Sequence, residues 1–173
     1  MLLAKSSLPC QAVSIGGITK SALLERLAAA EIEVNSAGYE LFSDERFRTA
    51  LHPEVVHVRQ VSVAGLGLER GGVMFEIMAA AAERGLSCCP LELAPHLRLL
   101  LLDQDEGAIG FPHTKHRAPP GSITVILQPL CDDDEVPKGF YLRRVEGKLW
   151  LRGYTSWAGH VWQPEDLLVF SCA

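Results

Sequence analysis

The chain has 173 residues, of which 48% are apolar and 21% charged, and a formal charge of −5. A chain of this length fits one domain and can bury roughly 70% of its unfolded surface, which excludes a disordered or fibrous protein and requires no covalent staple. The acidic balance argues against a general binder of nucleic acid or of anionic membranes, because such affinity comes from Lys and Arg neutralising phosphates.

Residues 1–17 read as a flexible lead closed by Gly16-Gly17, ahead of a single α+β domain over 18–173 in which 18–50 is a candidate helical subdomain. Thr19 is placed to cap a helix in which Leu23, Leu24, Leu27 and Ile32 recur at spacings of three and four. Asn35-Ser36 can cap a second, short helix carrying Tyr39, Leu41 and Phe42. Between His52 and Leu68 the period changes to two, with Val56 and Val58 followed by Val61 and Val63, a strand whose phase shift near Gln60 suggests a bulge. Gly71-Gly72 then leads into a helix from Val73 to Arg84, stopped by Gly85.

After Cys88-Cys89-Pro90 the pattern becomes strand and turn, with candidate strands at Leu97–Leu102, Ala108–Phe111, Ile123–Leu130, Phe140–Val145, Lys148–Tyr154 and Leu167–Cys172. Short strands joined by short turns predict a mainly antiparallel C-terminal β-meander with the N-terminal helices packed on one of its faces. Within it, a two-residue Glu146-Gly147 loop predicts a hairpin that pairs Val145 with Lys148, Arg143 with Trp150 and Tyr141 with Arg152. Phe140, Leu142, Leu149 and Leu151 then form a core face, and the opposite face interleaves aromatics with arginines. That face suits recognition by stacking, and equally suits cross-strand pairs that only stabilise a sheet.

The remaining motifs are weaker. His113 and His116 in FPHTKHRAPPG, with Lys115 and Arg117, form a cationic loop that suits a phosphate or carboxylate, but its prolines oppose the helical spacing a metal pair needs. Asp132-Asp133-Asp134-Glu135 lacks the ligand spacing and turn glycine of a calcium loop. Asp103, Asp105 and Glu106 offer general acids or bases without an evident nucleophile. Gly16-Gly17-Ile18-Thr19-Lys20-Ser21 lacks the glycine that must precede the lysine of a phosphate loop. Cys10, Cys88, Cys89, Cys131 and Cys172 are odd in number with no C-x-x-C spacing, which suggests neither a disulfide framework nor a zinc knuckle and favours a reduced, cytoplasmic setting. The opening MLLAKSSLPCQA has no secretory apolar region, and the leucine run Leu99–Leu102 is far too short to span a bilayer.

The run GLSCCPLELAPHLRLLLLDQDEG, followed by HRAPPGSITV, KGFYLRRVEGKLWLRGY and HVWQPEDLLVF, resembles a family of small bacterial proteins of unestablished function, some of them labelled helicases. The resemblance covers about Ile18 to Phe170 and implies a bacterial origin and no known activity. A nucleic-acid motor needs a phosphate-cradling loop and two nucleotide-binding lobes, which this chain does not supply.

Two functional expectations follow. The favoured one is a non-catalytic cytoplasmic binding protein, without cofactor, metal or membrane attachment. Its partner, a protein or a small acidic ligand, would meet Tyr141, Arg143, Trp150 and Arg152, together with Trp157, His160 and Trp162 of the adjoining loop. The alternative is a small hydrolase or phosphate-handling enzyme using His113 and His116 with a carboxylate such as Asp103 or Asp105.

Overall fold

A computed structural model describes residues 9–107 and 119–172. In chain order the elements are β1 (Gln11–Ile15), α1 (Lys20–Ala29), β2 (Ile32–Val34), α2 (Ser36–Ser43), β3 (Glu54–Ser62), β4 (Gly72–Val73), α3 (Met74–Ala82), β5 (Leu86–Ser87) and α4 (Leu93–Leu100). They are followed by β6 (Ile123–Val125), β7 (Gly139–Val145), β8 (Lys148–Tyr154), β9 (Val161–Trp162) and β10 (Leu167–Cys172). The first two helices begin where the capping residues stand: Thr19 Oγ1 accepts from Ala22 N at 3.2 Å, and Asn35 Oδ1 accepts from Gly38 N at 2.9 Å.

The class is α+β, but the sheet is mixed and is not a meander. Its strands lie in the order β1-β3-β10-β6-β7-β8-β2, with β5 also pairing β10, while β4 and β9 form a separate two-stranded sheet. The pairs β10–β6 and β2–β8 are parallel. Turn residues reveal only the strands they join, so the meander expectation missed pairings made by distant segments. The described part of the expected lead contains β1, which pairs antiparallel with β3 and buries Val13 and Ile15. The strand expected over Leu97–Leu102 is largely the last turn of α4, where Leu93, Ala94 and Leu97 are buried at helical spacing. Pro95 is tolerated there because it occupies the first turn, whose N–H groups have no helical partner. The strand expected over Ala108–Phe111 lies outside the described residues.

Two apolar clusters fill the two sides of the sheet. On one side α1, α2 and α4 cover Val13, Val58, Val125, Phe140, Leu142, Leu151 and Val169. On the other, Ile77 and Ala81 of α3 meet Val61, Leu168, Phe170 and Trp162. The phase shift in β3 marks this change of side: its pairing with β1 and β10 runs through Glu54–Ser62 without a bulge, Val58 facing the first cluster and Val61 the second.

A disulfide joins Cys10 to Cys172, linking the start of β1 to the end of β10, the strands that flank β3. The cysteine spacing had suggested no such bond, since partners 162 positions apart leave no local signature. Cys88, Cys89 and Cys131 are free.

The hairpin is locked to α2 by one side chain. Asn35 Oδ1 accepts from Gly153 N at 2.8 Å while Asn35 Nδ2 donates to Gly153 O at 3.0 Å. The same oxygen therefore caps the helix and holds the strand. The approach requires glycine, because a Cβ on Gly153 would stand 2.5 Å from the Ala37 carbonyl carbon.

Two outcomes are expected. Thiol titration of the unfolded, unreduced protein should count the three free cysteines, and reduction should raise the count to five. Asn35→Ala should lower the free energy of unfolding in urea by about 2 kcal/mol with an unchanged m value, because it removes a cap and leaves two backbone groups of β8 without their partner.

Candidate functional site

The Glu146-Gly147 loop has φ values of 53° and 74°, the left-handed pair that a two-residue hairpin turn requires. Gly147 takes this conformation freely, and Glu146 accepts strain to do so. The resulting register pairs Arg143 with Trp150, Tyr141 with Arg152 and Val145 with Lys148, as the turn predicted. Phe140, Leu142 and Leu151 are buried within the first cluster, and Tyr141, Arg143, Trp150 and Arg152 are half-buried on the opposite face.

Stacking on that face differs from the cross-strand expectation. Arg152 Cζ lies 5.0 Å from the centre of the Trp150 ring, so the cation and ring that meet are neighbours along one strand. Tyr141 meets Tyr154, with ring centres 6.3 Å apart.

A brace of residues 104–107 holds the hairpin from the side. Gln104 Nε2 donates to Leu142 O at 3.2 Å, Gly107 N donates to Arg144 O at 2.7 Å, and the Glu106 carboxylate accepts from Gly147 N at 3.2 Å while pairing with Arg144 at 3.4 Å. Behind Gln104 stands Arg98, fully buried and bonded to Gln104 Oε1 and Leu101 O. Burial pulls its guanidinium down to about 10.

Beyond the end of the face, the sheet and α3 leave a cavity of about 480 Å³. Its apolar wall comes from Met74 and Met78 of α3, Ile126 and Leu127 after β6, Tyr154 at the end of β8, and Trp157 in the loop that follows. Cys88 and Cys131 also line it, and Asp132, Asp134 and Lys138 supply its charged edge. Burial pushes the Tyr154 phenol and the Cys88 thiol up, so both are neutral at physiological pH. An aromatic chain runs along one side: Tyr154 to Trp162 at 6.0 Å, Trp162 to His160 at 5.1 Å and His160 to Trp157 at 5.5 Å.

Trp157 is 41% exposed, whereas Trp162, expected to contact a partner, is only 3% exposed. Trp162 therefore belongs to the second core and supports the exposed rings. The sequence had not singled out Met74, Met78 or Tyr154. Met74 and Met78 stand four apart on α3 beside its buried stripe, and Tyr154 continues the period of Arg152, but only the fold brings them to one cavity.

The enzymatic alternative rests on His113 and His116 with a carboxylate such as Asp103 or Asp105. His113 and His116 lie outside the described residues, Asp103 and Asp105 are exposed, and Glu106 is engaged with the hairpin. Among the described residues no three His, Cys, Asp or Glu side chains converge to hold a metal ion, and no helix is long and apolar enough to cross a membrane. Compared with known proteins, the chain matches no family model, no curated protein and no solved structure.

A second polar group lies inside the fold. Glu92, 4% exposed, accepts from Ala50 N at 2.8 Å, and His96 Nε2 accepts from Gly16 N at 3.3 Å and lies 3.8 Å from Glu92 Oε2. Burial raises the Glu92 carboxyl and lowers the His96 imidazole. The bond from Gly16 needs His96 Nε2 unprotonated, which agrees with that direction. The pair pins the chain before α1 and the segment before β3 to α4, a structural task.

Its pH dependence follows from the two directions. The raised carboxyl contributes stability below the ordinary Glu range that is lost as pH rises through its folded value, and the lowered imidazole contributes stability that is lost as pH falls from 6.5. Glu92→Gln should therefore gain stability relative to the parent as pH rises from 4 to 8, read by urea unfolding at each pH. An equal difference at every pH would show that Glu92 is not held up by burial.

Proposed function

We propose that the protein is a non-catalytic binding protein that meets its partner, a protein or a small acidic ligand, on the outer face of the β7–β8 hairpin. The contact residues are Tyr141, Arg143, Trp150 and Arg152, continued by Trp157 beside the cavity. The observation that carries this reading is that Tyr141, Arg143, Trp150 and Arg152 share one side of the sheet, half-buried, and that Trp157, exposed in the loop after β8, lines an apolar cavity. The helix on that side, α3, packs mainly against β4, β5 and the 64–66 turn. Aromatics and arginines are the residue types that carry most binding energy in interfaces.

The proposal no longer depends on a cytoplasmic setting. A disulfide between Cys10 and Cys172 fits an oxidising compartment better than a reducing one. The resemblance to small bacterial proteins adds no activity to it.

The test uses the intact protein, immobilised, against an extract of its native host. Arg143→Ala with Trp150→Ala should keep the parent's circular dichroism and unfolding midpoint within a few degrees while weakening capture of a saturable partner about tenfold or more. A control change on the far side of the molecule, Glu25→Ala, should leave capture unchanged. If the double variant retains the full set of captured molecules, the hairpin face is not the binding surface.

A further inference from the structure

We propose that the cavity between α3 and the end of β8 takes an organic cation with an apolar body, such as an aromatic or alkyl ammonium group. The inference rests on the reading that this cavity belongs to a binding site, and adds the chemistry of what enters it.

The wall decides the body of the ligand. Met74, Met78, Ile126 and Leu127 are apolar, and two thioethers on one helix face give a surface that adapts to flat or flexible groups. At about 480 Å³ the space is large enough for a small organic molecule. Phe75, next to Met74 on α3, is 82% exposed and Val161 of β9, paired with Val73, is 49% exposed, so exposed apolar side chains stand on both α3 and β9.

The edge decides the charge. Asp132 and Asp134 border the cavity, both exposed, and neither forms an ion pair among the described residues. The one cation among the lining residues, Lys138, is directed to main-chain oxygens, donating to Cys131 O at 3.1 Å and Asp133 O at 2.7 Å. With Asp133 and Glu135 in the same turn, the electrostatic balance at this edge is negative. Tyr154 and Trp157 add aromatic rings to the lining, and the face of such a ring attracts a desolvated ammonium with no equivalent attraction for an anion. An acidic ligand is thereby directed to Arg143 and Arg152 on the hairpin, and a cationic one to the cavity.

Three probes with one aromatic body separate these contributions: 2-naphthylmethyl-trimethylammonium, 2-naphthylmethanol and 2-naphthylacetate, each titrated calorimetrically into the full chain. The cation should bind about tenfold tighter than the alcohol, and the acetate more weakly than either. Asp132→Asn with Asp134→Asn should bring the cation towards the alcohol and leave the alcohol unchanged. Met78→Trp, which fills the cavity, should abolish binding of all three while the Arg143 and Trp150 test of the hairpin still succeeds. Equal affinity for cation and alcohol would overturn the assignment of charge and leave the cavity as an apolar pocket. Absence of binding by every probe, with the fold intact, would overturn both the ligand class and the cavity's place in the binding site.

Discussion

The slot between β3 and β6 is the constraint on which the rest of the structure depends. Its occupant, β10, is the last of the described elements in chain order; it pairs antiparallel with β3 and β5 and parallel with β6. Its side chains are buried on both sides, Val169 facing α4 and its neighbours, Leu168 and Phe170 facing α3. Until that strand arrives, β1 and β3 cannot join the hairpin half of the sheet, because β10 is the strand between β3 and β6. A disulfide from β10 back to β1 closes a loop over nearly the whole chain, and in the chain-entropy account such a loop restricts the unfolded state by about 5 kcal/mol.

Burial on both faces at the centre of the sheet determines what remains at its end. One side is layered by α1, α2 and α4, of which α2 and α4 reach β7 and β8. The other has α3 among the described helices, and α3 is only nine residues long, roughly 14 Å. Its buried residues Ile77 and Ala81 meet Val61 of β3 and Leu168 and Phe170 of β10, and its main contacts are with β4, β5 and the 64–66 turn, not with β7. The cavity is the step where this short upper layer ends, which is why it is lined by α3 on one side and by Tyr154 of the hairpin on the other.

How much of this was legible in the sequence depended on the range of the interactions. The hairpin was read correctly to the residue, since turn chemistry and period-two alternation are both local. Thr19 and Asn35 were read as caps for the same reason. The second role of Asn35, on Gly153, joins positions 118 apart and was invisible. In α4 the unbroken leucine run from Leu99 to Leu102 obscured the helical period. In β3 the period was read correctly and its shift was not: a strand that changes its buried face shows the same break as a bulge, and only the layers above and below distinguish them. The site divides in the same way. Its arginines and aromatics on the hairpin followed from register, whereas the cavity required α3 and β8 to be brought together.

Rigidity connects the two ends of the proposed site. Trp157 is exposed, but its ring rests on His160, which rests on Trp162, and Trp162 is anchored in the second core. Tyr154 also packs on Trp162 and meets Tyr141, so one chain of rings runs from the cavity to the hairpin face. At the turn, Glu106 and Gln104 brace the strands, and at the other end Asn35 holds Gly153 against α2. A surface restrained in this way loses little conformational entropy when a partner docks, a cost otherwise of about 0.5–1.5 kcal/mol for each mobile side chain ordered. In the proposed binding, the buried rings and the bracing side chains would thus contribute to affinity without touching a ligand, by leaving the outer rings few conformations to lose.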